Sequence, residues 1–165
     1  SGKLLKQNGF QFNVIHTSVL KRANRTMDIC LNEMGLKDVT THYHWRLNER
    51  HYGALQGLNK AEMAIEYGDE QVHIWRRSYD VSPPGGECLK DVVEKRVRPY
   101  YKNEIKPLLE DGKNILVAAH GNSLRAMLIV LGLETPDSIN EAEMPTGKPL
   151  LIELDDMKIS GRRFL

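Results

Sequence analysis

The sequence predicts an α/β fold of three layers, in which helices flank an open and mostly parallel sheet. Short apolar runs typical of buried strands alternate along the chain with longer segments of helical periodicity. One of these runs, Ile115–Val117, leads through His120-Gly121 into the apolar helix pattern of residues 124–131. Ligands of α/β proteins collect at the carboxyl ends of strands, and helix N-termini attract phosphate. This junction therefore indicates phosphate chemistry.

The first 45 residues predict two helices that alternate with two strands. Residues 1–8 have the composition of a helix end, with Asn8-Gly9 as the stop signal, and Phe12–Ile15 follows as a short strand. Thr17-Ser18 offers an N-cap to a helix from about Val19 to Met34, which Gly35 closes. The weak alternation of Thr40–Trp45 predicts the second strand.

The middle of the chain predicts a loop and two helices. Arg46–Leu58 is polar, contains glycines and has no clean period, which is typical of a loop. Asn59 has the spacing of a capping box with Glu62 and begins the first helix. The second helix covers Asp69–Arg77.

The segment Ser82–Gly86 is a strong break, and a long helix follows it. Pro99 predicts a kink in this helix and Pro107 predicts its end. The remaining strands are predicted at Asn114–Ala119, at Leu150–Leu154 and, as an edge segment, from Ile159 onward.

Composition bounds the class of protein. With 165 residues, 41% of them hydrophobic, the chain predicts a single domain over residues 1–165 with a packed core. A net charge of +1 argues against general binding to nucleic acid, and no apolar run approaches the roughly 20 residues that span a membrane.

The two cysteines do not make a disulfide framework, so we expect a reduced, cytoplasmic setting. The six histidines lack metal-ligand spacing, so no metal is expected.

Several cations lie near predicted helix ends and in the loop, where they could bind a phosphorylated sugar acid. A planar guanidinium can bind two phosphate oxygens at once. A solvated surface charge is the alternative interpretation of each of these residues taken alone. The candidates are Arg22, Arg50, His51, Lys60, Arg76 and Arg77.

Glu49 and His120 are the candidates for proton transfer and charge stabilisation. Glu49 lies between Arg46 and Arg50, where a carboxylate could act as a general acid or base or could pair with its own arginines. His120 could equally be structural, but its place after a buried strand and before Gly121-Asn122 favours a functional role.

Five segments together resemble the cofactor-dependent (2,3-bisphosphoglycerate-dependent) phosphoglycerate mutases. The most specific is the loop block Leu47–Lys60, because it distinguishes these mutases from other histidine phosphatases. The short connection Pro84–Glu87 is similar to that of the compact bacterial members. The other matching segments are Thr17–Ala23, Ile74–Tyr79, Ala118–Arg125 and Pro145–Gly147.

The resemblance implies an isomerase of lower glycolysis and gluconeogenesis that interconverts 3-phosphoglycerate and 2-phosphoglycerate. It implies that Glu49 exchanges the proton of the substrate hydroxyl, Arg22 holds the transferring phosphoryl group and His120 stabilises its transition state. It also implies 2,3-bisphosphoglycerate as the primer, no metal, and a homodimer or homotetramer. The implied substrate-binding residues are Arg22, Glu49, Arg50, His51, Tyr52, Lys60, Arg76, Arg77, Gly121 and Asn122.

One feature of the family is missing from these 165 residues. The family's nucleophilic histidine lies in an Arg-His-Gly motif on the first strand, and no such triplet occurs in the chain. We therefore expect a domain that is N-terminally incomplete, without its N-terminal strand. We favour the explanation in which the protein has this segment but the 165-residue sequence leaves it out. The alternatives are a phosphatase or bisphosphoglycerate synthase on the same scaffold, a natural truncation that only binds phosphoglycerates, and a fragment without ligand function.

Overall fold

A computed structural model describes all residues, Ser1–Leu165, and the chain divides into two compact units. The single domain over residues 1–165 stays a prediction. The first unit consists of Ser1–Asn48, Tyr100–Ala119 and Glu143–Leu165, and the second consists of Glu49–Pro99 and His120–Ala142.

A three-stranded parallel sheet forms the centre of the first unit and confirms the predicted α/β class. Its strands are β1 (Val14–Thr17), β2 (Thr40–Tyr43) and β3 (Ile115–Ala118), in the order β2-β1-β3. All four residues of β1 are buried, and the hydroxyl of Thr17 donates to the carbonyl of Ala118 at 2.7 Å. Strand β3 pairs on one side only, and its residues are partly exposed.

Two helices of the first unit pack together through a close backbone approach. They are α1 (Gly2–Gln7) and α2 (Lys21–Met34), and a Cβ on Gly2 would lie only 2.8 Å from the carbonyl oxygen of Cys30. The predicted cap of α2 is wrong by two residues, because the strand continues through Thr17 and Leu20 becomes the N-cap. The predicted helix end at Gly35 is confirmed, with φ of 68°.

The two C-terminal strands form a separate antiparallel hairpin. Strands β4 (Leu150–Asp155) and β5 (Lys158–Phe164) pair only with each other, with a bulge between Glu153 and Leu154. The connecting Asp156 and Met157 both have positive φ, 49° and 64°, as a two-residue hairpin turn requires.

Helical structure runs from residue 89 to residue 110, so the predicted end at Pro107 is wrong. Pro107 is the second residue of the last α-helical segment, which directly follows a π-helical one, and the helical structure continues through this proline. Pro99 lies in a three-residue α-helical segment between two π-helical ones. The successive segments are α5 (Leu89–Asp91), π1 (Val92–Val97), α6 (Arg98–Tyr100), π2 (Tyr101–Ile105) and α7 (Lys106–Glu110).

The second unit contains three further helices, α3 (Lys60–Tyr67), α4 (Asp69–Arg77) and α8 (Gly121–Val130). The predicted capping box of α3 is confirmed, because Asn59 Oδ1 accepts from the N–H of Glu62 at 2.8 Å and Glu62 Oε2 accepts from the N–H of Asn59 at 3.1 Å. Helix α8 packs against π1. Neither unit contains a helix with the length and hydrophobicity that crossing a membrane requires.

A buried imidazole lies at the centre of the first unit. His16, on β1, is fully buried, and its Nδ1 lies 2.6 Å from the hydroxyl of Tyr100. Its ring stacks on that of His42 with centroids 5.0 Å apart, and its Nε2 has no hydrogen-bond partner. Burial, and secondarily the charge of His42, lower the pKa of His16 to about 4. His16 is therefore neutral in the folded protein at neutral pH, and its Nδ1 shares a hydrogen bond with the hydroxyl of Tyr100.

We expect this histidine to make the protein acid-sensitive. In the unfolded chain His16 binds a proton near pH 6.5, whereas in the folded protein it does so only near pH 4. Stability is therefore retained above pH 6.5 and falls as the pH drops towards 4, by about 3 kcal/mol from this group. Urea unfolding at pH 7.5, 6.5, 5.5 and 4.5 would measure the loss.

The matched variants are His16→Gln, whose amide can donate to or accept from Tyr100 without titrating, and His73→Gln on the exposed surface of α4. His16→Gln should flatten the decline and His73→Gln should leave it unchanged. An equal decline in all three proteins would contradict this account.

Candidate active site

The loop that carries the candidate acid–base residue is anchored by an apolar cluster in the second unit. Leu55 closes a short 3-10 turn, Gly53–Leu55, and is 1% exposed. It packs with Met63 of α3 and with Trp75 of α4. The segment between Glu49 and Leu55 therefore ends in a fixed position, although it contains no long regular element.

Arg50 is fixed inside the unit. It is 3% exposed, its Nε donates to the carbonyl of Glu87 at 2.5 Å, and its Nη2 donates to the carbonyl of Trp75 at 2.5 Å. The guanidinium lies over the ring of Tyr52, 4.8 Å from the centroid. Burial lowers the pKa of Arg50, while neighbouring groups, including Tyr52, oppose this effect. Arg50 thus acts first as an anchor of the loop.

Glu49 contacts the first turn of α8. Its Oε1 accepts from the backbone N–H of Asn122 at 3.2 Å and from the N–H of Arg50 at 3.0 Å. The side-chain amide of Asn122 donates to the hydroxyl of Tyr52 at 3.3 Å. Asn122 therefore joins the start of α8 to a loop that lies 70 or more positions earlier in the sequence. These two hydrogen bonds to Glu49 use Oε1 and not Oε2.

His120 is the N-cap of α8 and is 7% exposed. The hydroxyl of Ser123 accepts from the backbone N–H of His120 and donates to its carbonyl, both at 3.2 Å. This exchange fixes the backbone that carries the imidazole at the point where α8 begins.

A cavity of ≈ 180 Å³ lies beside these residues and is strongly cationic. Four guanidinium groups and no carboxylate line it, and no ion pair engages Arg76, Arg77 or Arg125. Asn140 donates to the carbonyl of Arg77 at 2.7 Å and fixes the end of α4 there. Such a cavity favours a small ligand with several negative charges. Its lining residues are Arg50, Tyr52, Arg76, Arg77, Ser78, Tyr79, Leu89, Asn122, Arg125 and Asn140.

Not all predicted site residues line this cavity. Lys60 is the first residue of α3 and is exposed, and the Nδ1 of His51 accepts from the N–H of Gly53 at 3.0 Å within the loop. Gly121 is the first residue of α8, and Arg22 is exposed on α2 of the first unit. No group of three or more His, Cys, Asp or Glu side chains is arranged to hold a metal ion.

Arg125 is the most important lining residue that the sequence reasoning missed. It lies four positions after Gly121, so both residues share one face of α8. Its Nη1 lies 3.1 Å from the position that a Cβ on Gly121 would occupy. The i, i+4 spacing after the helix start was the signal that could have identified it.

The fold and this site define the class of protein. The model of the histidine phosphatase superfamily (branch 1) matches residues 2–163, and the chain belongs to this superfamily. The resemblance to the cofactor-dependent mutases is also confirmed. A curated relative from Beijerinckia indica, named 2,3-bisphosphoglycerate-dependent phosphoglycerate mutase, is 52% identical over 154 residues, which are 93% of this chain and 74% of the relative.

One further curated relative carries the mutase name, and one solved structure shares the fold. A mutase of the same name from Azorhizobium caulinodans is 50% identical over 164 residues, 99% of this chain and 79% of the relative. Among solved structures, the complex of a mycobacterial glucosyl-3-phosphoglycerate phosphatase with VO3 has a TM-score of 0.72 and 25% identity. That comparison covers 99% of this chain and 78% of the phosphatase.

The loop also depends on a close backbone contact, from which we predict the effect of one substitution. A Cβ on Gly53 would overlap the carbonyl oxygen of Pro84, which accepts from the N–H of Ala54 at 2.8 Å. We expect Gly53→Ala to destabilise the protein by about 1 kcal/mol for its positive φ and by about 2 kcal/mol more for the overlap. Urea unfolding would measure the total loss of stability.

Gly57→Ala is the matched control for this prediction. Gly57 also has positive φ, 81°, but its added Cβ would meet nothing within 4 Å. Equal losses of stability in the two variants would show that backbone conformation alone, and not the contact with Pro84, determines the cost.

Proposed function

We propose that this protein interconverts 3-phosphoglycerate and 2-phosphoglycerate, as the names of its close relatives suggest. The observation that carries the proposal is the cavity with four arginines and no carboxylate, joined through Asn122 to Glu49. A phosphoglycerate carries a phosphate and a carboxylate on three carbons, so it needs several cationic donors in a small volume.

The cavity supplies those donors at fixed positions. Arg76 and Arg77 extend from the end of α4, Arg125 extends from α8, and none of the three is neutralised by a carboxylate. Asn122 and Tyr52, which hydrogen-bond to each other, add neutral donors and acceptors. Lys60 and His51 are further substrate ligands implied by the family resemblance.

Glu49 is suited to exchange a proton with the substrate hydroxyl. Its Oε1 is held by two backbone N–H groups, so the carboxylate has one orientation and Oε2 is available for the proton. A positioned carboxylate of this kind contributes to catalysis as a general acid and base.

The phosphoryl group itself requires charge stabilisation during transfer. Phosphoryl transfer depends on positioning and on cations that spread the developing charge. We assign this part to His120 and to the backbone at Gly121 and Asn122, and the family resemblance implies Arg22 as a further residue for the phosphoryl group. The family mechanism passes through a phosphohistidine, whose Arg-His-Gly motif is not among these 165 residues.

The cationic lining also fits 2,3-bisphosphoglycerate, which supplies the phosphoryl group that primes the family's nucleophile. Arg76, Arg77 and Arg125 are the residues that would hold its charged groups. The setting that we propose is the cytoplasm, where lower glycolysis operates, with the protein as a single-domain homodimer or homotetramer.

A comparison of two rates on one preparation tests the proposal. The protein expressed from its native gene would be supplied with 3-phosphoglycerate and catalytic 2,3-bisphosphoglycerate, and the 2-phosphoglycerate formed would be compared with the phosphate released. We expect isomerisation to dominate. Dominant hydrolysis would favour a phosphatase, the activity of the mycobacterial structural relative, and binding without turnover would favour a protein that only binds phosphoglycerates.

Glu49→Gln tests the mechanism. The amide keeps the shape of the side chain and one oxygen acceptor but cannot exchange the proton, so we expect a loss in kcat of about 10²- to 10⁴-fold. Affinity for 3-phosphoglycerate, measured by calorimetry, should change by less than about threefold. Glu62→Gln, which keeps the capping box of α3, is the control. A wild-type rate in Glu49→Gln would rule out this role.

A further inference from the structure

Glu87 lies in the connection between α4 and α5 and holds two consecutive residues of the loop. Its backbone N–H donates to the carbonyl of His51 at 2.8 Å, and its Oε1 accepts from the N–H of His51 at 3.0 Å. Its carbonyl accepts from Nε of Arg50 at 2.5 Å. Three hydrogen bonds from one residue therefore fix the segment that begins with Glu49.

A buried cation holds the carboxylate of Glu87 in place. Nη1 of Arg96, on π1, lies 3.3 Å from Oε1 of Glu87, and the Arg96 side chain is 7% exposed. Burial lowers the pKa of Arg96, whereas the negative charges of Glu87 and, to a smaller extent, Glu49 raise it. Both carboxylates therefore act on one buried guanidinium, and removal of one partner from such a pair is costly.

Glu87 does not line the cationic cavity, so its influence on a bound ligand is indirect. The path is short, because the N–H of Arg50 donates to the Glu49 carboxylate and the guanidinium of Arg50 is held by the Glu87 carbonyl. A displacement of this backbone would change the direction in which Oε2 of Glu49 points.

Building on the proposed role of Glu49, we propose that Glu87 is a positioning residue that orients Glu49 for proton transfer, with Arg96 as the buried cation that holds Glu87. The assignment goes beyond the residues that the family resemblance implies. It predicts that Glu87 affects the rate of the chemical step more than the affinity for substrate.

Two variants of Glu87 separate the contribution of its hydrogen bond to His51 from that of its negative charge opposite Arg96. Glu87→Gln keeps an oxygen for the N–H of His51 but loses the charge opposite Arg96, whereas Glu87→Ala loses both. Since a displacement of about 1 Å can cost about a hundredfold in rate, we expect kcat to fall about 10- to 100-fold in Glu87→Ala and less in Glu87→Gln. The KM for 3-phosphoglycerate should change by less than about threefold.

Glu94→Gln and Glu94→Ala are the matched controls. Glu94 lies on π1, as Arg96 does, and forms an ion pair with Arg98 at 3.0 Å, but both side chains of this pair are about half exposed. These variants should keep the wild-type kcat. Thermal unfolding would verify that each variant is folded at the assay temperature, and Glu87→Gln keeps the test valid if Glu87→Ala does not fold.

A double-mutant cycle with Glu49→Gln distinguishes positioning from general structural support. If Glu87 acts through Glu49, Glu87→Ala should lower kcat by less than about threefold in the Glu49→Gln background, because residues that act as a unit are not additive. An equal fold-loss in both backgrounds, or a loss confined to KM, would overturn the positioning role while leaving the proposed function intact. A wild-type rate in Glu49→Gln itself would instead overturn the proposed role of Glu49.

Discussion

The hydrogen bond from the Asn122 backbone to the Glu49 carboxylate is the interaction on which the site of the second unit depends. It joins an irregular loop to the start of α8. Helix N-termini carry unsatisfied N–H groups and a partial positive charge, so a carboxylate is a favourable partner there. Because one oxygen of Glu49 is used in this way, the other has a defined direction. This contact adds to the packing of Leu55 and to the hydrogen bonds of Arg50 and Glu87, which also order the loop.

The cationic cavity carries an energetic cost in the absence of ligand. Arg76, Arg77 and Arg125 repel one another, and no carboxylate reduces the repulsion. The cost is tolerated because α4 and α8 are held by the packing of Trp75 and Ala126, which are both buried, rather than by their charged side chains. An anion that enters the cavity removes this repulsion, so binding and stability of the second unit are coupled.

The sequence was sufficient to predict those elements whose structure is determined by residues close to one another in the chain. The capping box at Asn59, the left-handed Gly35 and the helix Asp69–Arg77 depend on residues within a few positions of each other, and all three were predicted correctly. The predicted helix end at Pro107 failed because helical structure continues through this proline, directly after a π-helical segment. The π-helical segments carried no local signal that we could identify.

The site was predictable in composition but not in arrangement. The loop with Glu49 and the arginines of α4 could be identified from their types and spacing and from the family resemblance. The contact of Glu49 with Asn122 joins residues 73 positions apart, and no local pattern specifies it. Arg125 and Glu87 were missed for the same reason, since each becomes significant only through groups that are distant in sequence. Arg50 lines the cavity, and its guanidinium also anchors the loop through two backbone carbonyls, a second role that its charge alone did not predict.

The close approach of Gly53 to Pro84 and Gly86 also determines where the length of the chain can vary. The hydrogen bonds from Ala54 to Pro84 and from Glu87 to His51 fix the register over Pro84–Glu87, so an inserted residue there would detach one of them. Asp80 and Val81, which are separated from this stretch by Ser82 and Pro83, are exposed. Insertions and deletions among homologous chains with this connection should therefore concentrate at Asp80-Val81.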